Sequence, residues 1–343
     1  MIELKPDPST NVRTLRLGAD SATGICEDLG AFIVTTMPVP WALAESRIGG
    51  EPTQVVFVDS MERDIVDRQL AAAPEFDCVV AIGGGQAIDL GKYFAWKRGC
   101  RLITIPTVIS VDAFVTSAAA VRVDRKVEYV GESSPDPLII DYDLIRTAPE
   151  DLNIAGVGDL LSIHTAIDDW QRTERAGRSE YPFHMSMIED AKKILDEIGK
   201  RADDIRNLSD DGLRAIVEGY MAVNRICVPA GHYRVEEGSE HFLFYELERI
   251  TGDAYIHGHI VGLGVYIMSH LQKNDPEGIT DVMNRCGLKF QPKDMGIDRE
   301  TLRAAILGVR AFVESRPDIW YSVIDEEEIT PAWADAILET LEF

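Results

Sequence analysis

Short apolar runs rich in β-branched residues recur through the first half of the chain: Ala31-Phe32-Ile33-Val34-Thr35, Gln54-Val55-Val56-Phe57-Val58, Cys78 to Ile82, Leu102-Ile103-Thr104-Ile105 and Leu138-Ile139-Ile140. They are nearly continuous rather than alternating, which suits strands covered on both faces. Helical patterns lie between several of them, such as Asp64 to Ala73, where Ile65, Val66, Leu70 and Ala71 are apolar at helical spacing. Strands alternating with helices predict a parallel α/β sheet. After Thr147-Ala148-Pro149-Glu150 the strand-like runs nearly vanish. Ile188 to Ile198, Gly212 to Ile226, Gly262 to Leu271, Thr301 to Val313 and Pro331 to Leu341 instead carry apolar residues three and four apart. The pattern predicts an α/β domain over residues 1–149 and an all-α domain over 150–343, and a length of 343 residues suits two cores.

The run Cys78-Val79-Val80-Ala81-Ile82-Gly83-Gly84-Gly85-Gln86-Ala87-Ile88-Asp89-Leu90-Gly91-Lys92 reads as a buried strand that passes through three glycines into a helix. Successive glycines let a backbone approach a diphosphate closely, and the free N–H groups at a helix N-terminus favour the anion. A nucleotide-binding enzyme is the expectation, although the spacing is not the usual G-x-G-x-x-G. The strand ending at Ile105 leads into Pro106-Thr107-Val108-Ile109-Ser110-Val111-Asp112-Ala113. If that strand is a parallel neighbour of the first, this loop emerges at the same carboxyl edge, where ligands bind in open α/β sheets. Thr107 and Ser110 are then placed to contact a cofactor and Asp112 a substrate hydroxyl. The same residue types also satisfy loop backbone groups as turn and cap residues.

Charge narrows the partners. The chain has 58 acidic and 34 basic residues, a formal charge of −24, which repels a nucleic-acid backbone over most of the surface. Local glycine loops, arginines or a metal still allow a small anionic ligand. Five scattered cysteines without C-x-x-C spacing read as reduced thiols. No signal-like N-terminus and no bilayer-length apolar run is present, so a cytoplasmic protein without membrane partners is expected.

The helical half holds a second constellation. Gly156-Val157-Gly158-Asp159-Leu160-Leu161-Ser162 places a carboxylate at an expected helix start, where an isolated Asp usually acts as an N-cap. Gly238-Ser239-Glu240-His241-Phe242-Leu243 puts a histidine at another helix start, and Ile256-His257-Gly258-His259-Ile260 offers two more. One carboxylate oxygen and two imidazoles make a three-ligand site with an open fourth position, the arrangement of catalytic zinc. His257 and His259, two apart on one helix, point to different sides and do not share an ion. His257 precedes Gly258, where a second helix or a ligand can come close, whereas His259 is expected to face a pocket or solvent. The separations of Asp159, His241 and His257 match no short metal motif. His164, His184, His232 and His270 read as surface or core residues.

Together these residues resemble the metal-dependent polyol dehydrogenases, which include glycerol dehydrogenase, glycerol-1-phosphate dehydrogenase and the iron-containing alcohol dehydrogenases, with dehydroquinate synthase as a relative. The triple glycine with Asp89 and Lys92, the Pro106-Thr107 loop ending in Asp112, Gly158-Asp159, His241 and His257-Gly258 stand in that superfamily's order. The likeness is greatest to glycerol-1-phosphate dehydrogenases. It is carried by Gly91-Lys92-Tyr93, by Gly158-Asp159-Leu160-Leu161-Ser162 with Thr165-Ala166 and Asp169-Trp170, and by Trp320-Tyr321-Ser322-Val323-Ile324-Asp325, which is similar to the family segment R-Y-T-V-L-D. Trp320 stands where the family often has arginine.

The resemblance implies a dehydroquinate synthase-like fold, with a Rossmann-like N-terminal domain and a helical metal- and substrate-binding domain. It implies that Gly83, Gly84 and Gly85 bind the cofactor diphosphate, supported by Asp89 and Lys92, and that Thr107, Ser110 and Thr116 line the nicotinamide side. Asp112 holds a substrate hydroxyl, while Asp159, His241 and His257 hold the metal. Arg122 is the first choice for a substrate phosphate, and His259 for a proton relay beside the substrate. The iron-dependent branch has a further histidine four residues after its aspartate; Ile163 occupies that position here, which favours zinc. Thr35-Thr36-Met37 after the first strand lacks the acidic residue that selects NAD, so either NAD or NADP is expected. The implied reaction is hydride transfer between nicotinamide and a small polyol or polyol phosphate, sn-glycerol 1-phosphate and dihydroxyacetone phosphate being the named pair. Alternatives are another alcohol dehydrogenase or a dehydroquinate-synthase-like cyclising lyase. A homo-oligomer is implied by the same resemblance.

Overall fold

Four of the five apolar runs form strands buried on both faces in a computed structural model that describes residues 2–4, 9–123 and 126–343, whereas the run at Gln54–Phe57 forms an edge strand of which only Val56 is buried. Strands β1 (Ile2–Leu4), β2 (Leu15–Gly18), β3 (Phe32–Thr36), β4 (Gln54–Phe57), β5 (Cys78–Gly83), β6 (Arg101–Pro106) and β9 (Leu138–Asp141) build a seven-stranded sheet in the order β1-β2-β9-β6-β5-β3-β4. It is parallel except for β1, which runs antiparallel to β2. β7 (Ala119–Val123) and β8 (Lys126–Val130) form a separate antiparallel hairpin. Phe32, Val34, Val80, Ile82, Ile103, Ile105 and Ile139 share one buried cluster, the predicted strands supplying their own core.

Helices α1 (Pro38–Ile48), α2 (Arg63–Ala72), α3 (Gly85–Arg98) and α4 (Tyr142–Ile145) complete this part. α3 lies very close to the sheet because Gly91 has no side chain: a methyl group there would be 2.6 Å from Ala81 Cβ and 2.7 Å from Thr35 Oγ1. β5 and β6 are parallel neighbours with Gly83 opposite Pro106. The glycine run and the Pro106-Thr107 loop therefore leave the sheet side by side.

Beyond Asp141 the described chain is helical: α5 (Glu150–Leu161), α6 (Ile163–Arg175), α7 (Met185–Lys200), α8 (Ala202–Arg206), α9 (Asp210–Ala230), α10 (Ser239–Thr251), α11 (His257–Gln272), α12 (Pro276–Cys286), α13 (Pro292–Met295), α14 (Arg299–Glu314), α15 (Val323–Glu326) and α16 (Pro331–Leu338). The chain divides into two compact units, Met1–Asn153 and Ile154–Phe343, with the division inside α5. In the second unit α10 packs on α11, α14 and α6, and α7 on α9. Trp170, Tyr220 and Phe242 are among its fully buried side chains. All five cysteines are free thiols, and burial pushes Cys26, Cys78 and Cys286 up to about 12, so they stay protonated. Among the described residues no helix is long and apolar enough to cross a membrane.

Candidate active site

In the first unit the chain turns from β5 into α3 through Gly83, at φ +142°, where a side chain is strained; a methyl group would also come within 2.9 Å of Ala87 Cβ. Gly84 caps α3, and Val108 and Val111 of the neighbouring loop press on the run: methyl groups on Gly84 and Gly85 would lie 3.0 Å and 3.4 Å from their Cγ1 atoms. Thr107 ties the two segments by donating its N–H to Gly83 O at 3.0 Å. A cradle of bare backbone thus opens at the start of a 14-residue helix, whose first N–H groups lack helical partners. This fits a dinucleotide diphosphate.

Lys92 and Asp89 lie behind the cradle. Lys92 is fully buried and donates to Asp89 Oδ1 (3.1 Å), Thr116 Oγ1 (2.9 Å) and Ala118 O (3.1 Å). Burial raises the Asp89 pKa, with Lys92 opposing the rise. The ammonium braces α3 against the segment that follows Asp112, and Thr116 is occupied by that brace. Asp112 opens a single 3-10 turn, Asp112–Phe114, and is half-buried like Ser110. Arg122 lies on β7, bridged to Glu62 with its N–H on Met61 O at 2.7 Å.

In the second unit Asp159, His241 and His257 converge. One ligand atom of each lies within 4.8 Å of the others. Asp159 Oδ1 is 3.1 Å from His257 Nε2 and 3.6 Å from His241 Nε2. The packing of three helices imposes this. Gly158 on α5 and Gly258 on α11 lack side chains at the point where those helices touch backbone to backbone. Gly264 on α11 does the same against α10, where a methyl group would lie 2.5 Å from Glu240 O. Each of the three side chains stands next to one of these contacts, so the close approaches that join the helices also bring the side chains together.

The partners of these three side chains are equally specific. The Tyr220 hydroxyl of α9 is shared between Gly156 O at 3.0 Å and Asp159 Oδ2 at 3.2 Å, and Oδ1 faces the imidazoles. His241 Nδ1 is 2.9 Å from Glu240 Oε1, which leaves Nε2 pointing at Asp159. Burial favours the neutral form of Asp159, yet His257 and His241 overcome this and hold it well below the usual carboxylate range. Burial likewise opposes charge on His241, but Asp159 and Glu240 raise it well above its ordinary value. A carboxylate and two imidazoles around one point, with a hydrogen-bonded carboxylate behind one of them, fit a divalent cation that keeps a position open.

One expectation is corrected and one narrowed. Asp159 does not start a helix; it lies in the last turn of α5, which begins at Glu150. The tight contact with α11 retains Gly158 inside a continuous helix. Of the pocket or solvent expected beside His259, solvent is excluded, since the residue is only 2% exposed within α11. Sequence reasoning assigned no role to Tyr220, Glu240 or Asp169. Glu240 carried a signal, since it directly precedes His241. Asp169 accepts the N–H groups of Ser239 and Val323 at 2.8 Å each, pinning α10 and α15 to α6.

Similarity to known proteins agrees with this geometry. The family model for iron-containing alcohol dehydrogenase matches residues 20–149. Over 268 residues the chain is 27% identical to a glycerol-1-phosphate dehydrogenase [NAD(P)+] of Aeropyrum pernix, covering 78% of this chain and 74% of that one. A second such enzyme, from Sulfurisphaera tokodaii, is 26% identical over 322 residues, covering 90% and 88%. Over residues 20–149 the chain is thus similar to the iron-containing alcohol dehydrogenases, and over most of its length to glycerol-1-phosphate dehydrogenases. Among solved structures, glycerol dehydrogenase from Schizosaccharomyces pombe superposes with a TM-score of 0.71 at 21% identity, covering 95% of this chain and 88% of that one. The chain accordingly shares the fold of that structure.

Proposed function

We propose that the protein is a metal-dependent NAD(P)H dehydrogenase that interconverts sn-glycerol 1-phosphate and dihydroxyacetone phosphate, with zinc as its metal. The observation that carries the reading is the convergence of Asp159, His241 and His257 in a chain whose curated relatives are named glycerol-1-phosphate dehydrogenases. When bound, a divalent cation polarises a carbonyl for reduction or acidifies an alcohol for oxidation, while the nicotinamide carries the hydride.

The chain's own residues position these groups. Asp159, His241 and His257 hold the cation, and Tyr220 keeps Asp159 turned toward it. Ile163, fully buried, stands where the iron-dependent branch supplies a further histidine, which favours zinc. Gly83, Gly84 and Gly85 cradle the diphosphate, and Lys92 with Asp89 keeps that loop rigid. Thr107, Ser110 and Thr116 border the nicotinamide, and Asp112 hydrogen-bonds a substrate hydroxyl. β3 ends in Thr35, Thr36 and Met37 rather than a carboxylate, so NADPH is accepted as well as NADH.

The test is oxidation of NADH or NADPH with dihydroxyacetone phosphate, followed at the reduced nicotinamide absorbance. The reaction is expected to stop on chelation and to return with Zn2+. Consumption of a sugar phosphate without net cofactor turnover would point instead to a cyclising lyase.

A further inference from the structure

Glu240 is a fully buried carboxylate directly beside a metal-ligand candidate. Its Oε1 accepts the Gly238 N–H at 2.6 Å and faces His241 Nδ1 at 2.9 Å, and its Oε2 accepts the Thr165 hydroxyl at 2.6 Å. A carboxylate removed from water is tolerated only when donors saturate it, so the three contacts form one unit. Backbone, α6 and the imidazole each supply one of them. Asp169, a second buried carboxylate, is close by: a methyl group on Gly238 would lie 2.9 Å from Asp169 Oδ2 and 3.0 Å from Glu240 Oε2. Buried Arg234, whose guanidinium carbon is 4.8 Å from the Trp320 ring centroid, contributes positive charge toward both.

We propose that Glu240 is a positioning residue for the metal site, an inference that rests on the metal-dependent reading above. Its oxygen takes the Nδ1–H of His241, which fixes the tautomer and ring plane and leaves the Nε2 lone pair aimed toward Asp159 Oδ1. Its negative charge also makes the imidazole a stronger donor to a cation. Thr165 and Gly238 act one step further out, since they hold the carboxylate that holds the ligand.

The experiment compares metal-free wild type with Glu240→Gln, Glu240→Met and Thr165→Val. Each is titrated with Zn2+ against a chromophoric chelator, and the melting temperature of the metal-free form is recorded. Glutamine keeps an acceptor for Nδ1–H and removes the charge, whereas methionine removes both. Zinc affinity is expected to fall about 10-fold for Glu240→Gln and about 100-fold for Glu240→Met, with a smaller loss for Thr165→Val. The melting temperature of metal-free Glu240→Gln is expected to match wild type, which separates positioning from a purely structural role. Wild-type zinc affinity in both Glu240 variants would overturn the positioning role while leaving the metal reading intact. Wild-type protein that takes up no zinc, or whose uptake survives Asp159→Ala, would overturn the metal reading itself.

Discussion

Gly158 and Gly258 meet backbone to backbone: a methyl group on Gly158 would lie 1.8 Å from the Gly258 carbonyl oxygen, and one on Gly258 only 1.7 Å from Ala155 O. Neither clash can be relieved by a side-chain rotation, because the opposing atoms are main chain. Gly158→Ala must push α5 and α11 apart, and with them Asp159 and His257, which are now 3.1 Å apart. Such overpacking costs about 1–3 kcal/mol. The variant is expected to melt at lower temperature and to be purified with substoichiometric zinc. Wild-type metal content would contradict the link between helix contact and ligand geometry.

Lys92 gives a different kind of prediction, because it is buried together with Asp89. Lys92→Met leaves that carboxylate without its cation and is expected to cost about 3–5 kcal/mol in urea unfolding. Pairing it with Asp89→Leu should recover much of the loss, since two apolar groups replace a buried ion pair. Equal instability of the double and single variants would show that the brace matters for some reason other than charge.

Gly83→Ala tests the cradle. A side chain at φ +142° is strained, and its methyl group would crowd Ala87, so the β5–α3 turn has to shift. NADH affinity, read from nicotinamide fluorescence, is expected to drop at least about 10-fold, equivalent to about 1.4 kcal/mol, while zinc affinity stays at the wild-type value. A parallel loss of zinc would mean that the substitution had disturbed far more than the turn.

Asp169 makes stability depend on pH. Burial first, and then the neighbouring charge of Glu240, raise its pKa from the ordinary 3.8 to about 6. A carboxyl whose native value is raised binds its proton more tightly when folded. Its contribution is therefore fully present below pH 3.8 and is lost as pH rises through about 6. A shift of that size is worth roughly 2–3 kcal/mol. The stability of metal-free wild type relative to Asp169→Asn, measured by urea unfolding, should fall by that amount between pH 4 and pH 7. A constant difference across that range would refute the shift.

β3, β5, β6 and β9 were legible because a strand covered on both faces is written as an unbroken apolar run; β4 was legible as a β-branched run although only Val56 of its residues is buried. β2 was not, since only Leu15 and Leu17 of its residues are buried, and neither was β8, which is largely exposed. The order of the sheet made the Asp112 loop a neighbour of the glycine run, as a parallel pairing of β5 and β6 requires. Asp159, His241 and His257 could be named from residue type and order. Their convergence was implied by the resemblance and not by spacing, because it depends on contacts such as Gly264 against Glu240 that join distant parts of the chain. Local pattern misplaced Asp159 for the same reason: glycines that break an isolated helix are retained here by the neighbour they admit.

The most direct measurement is the rate of NADH and NADPH oxidation by dihydroxyacetone phosphate, in wild type and in Asp159→Ala and His257→Ala variants, before and after chelation. The account predicts turnover in zinc-loaded wild type, at least about 10³-fold less in either variant, a loss of roughly 4 kcal/mol in transition-state stabilisation, and none after chelation until Zn2+ is restored. Undiminished turnover in chelated protein or in Asp159→Ala would contradict it.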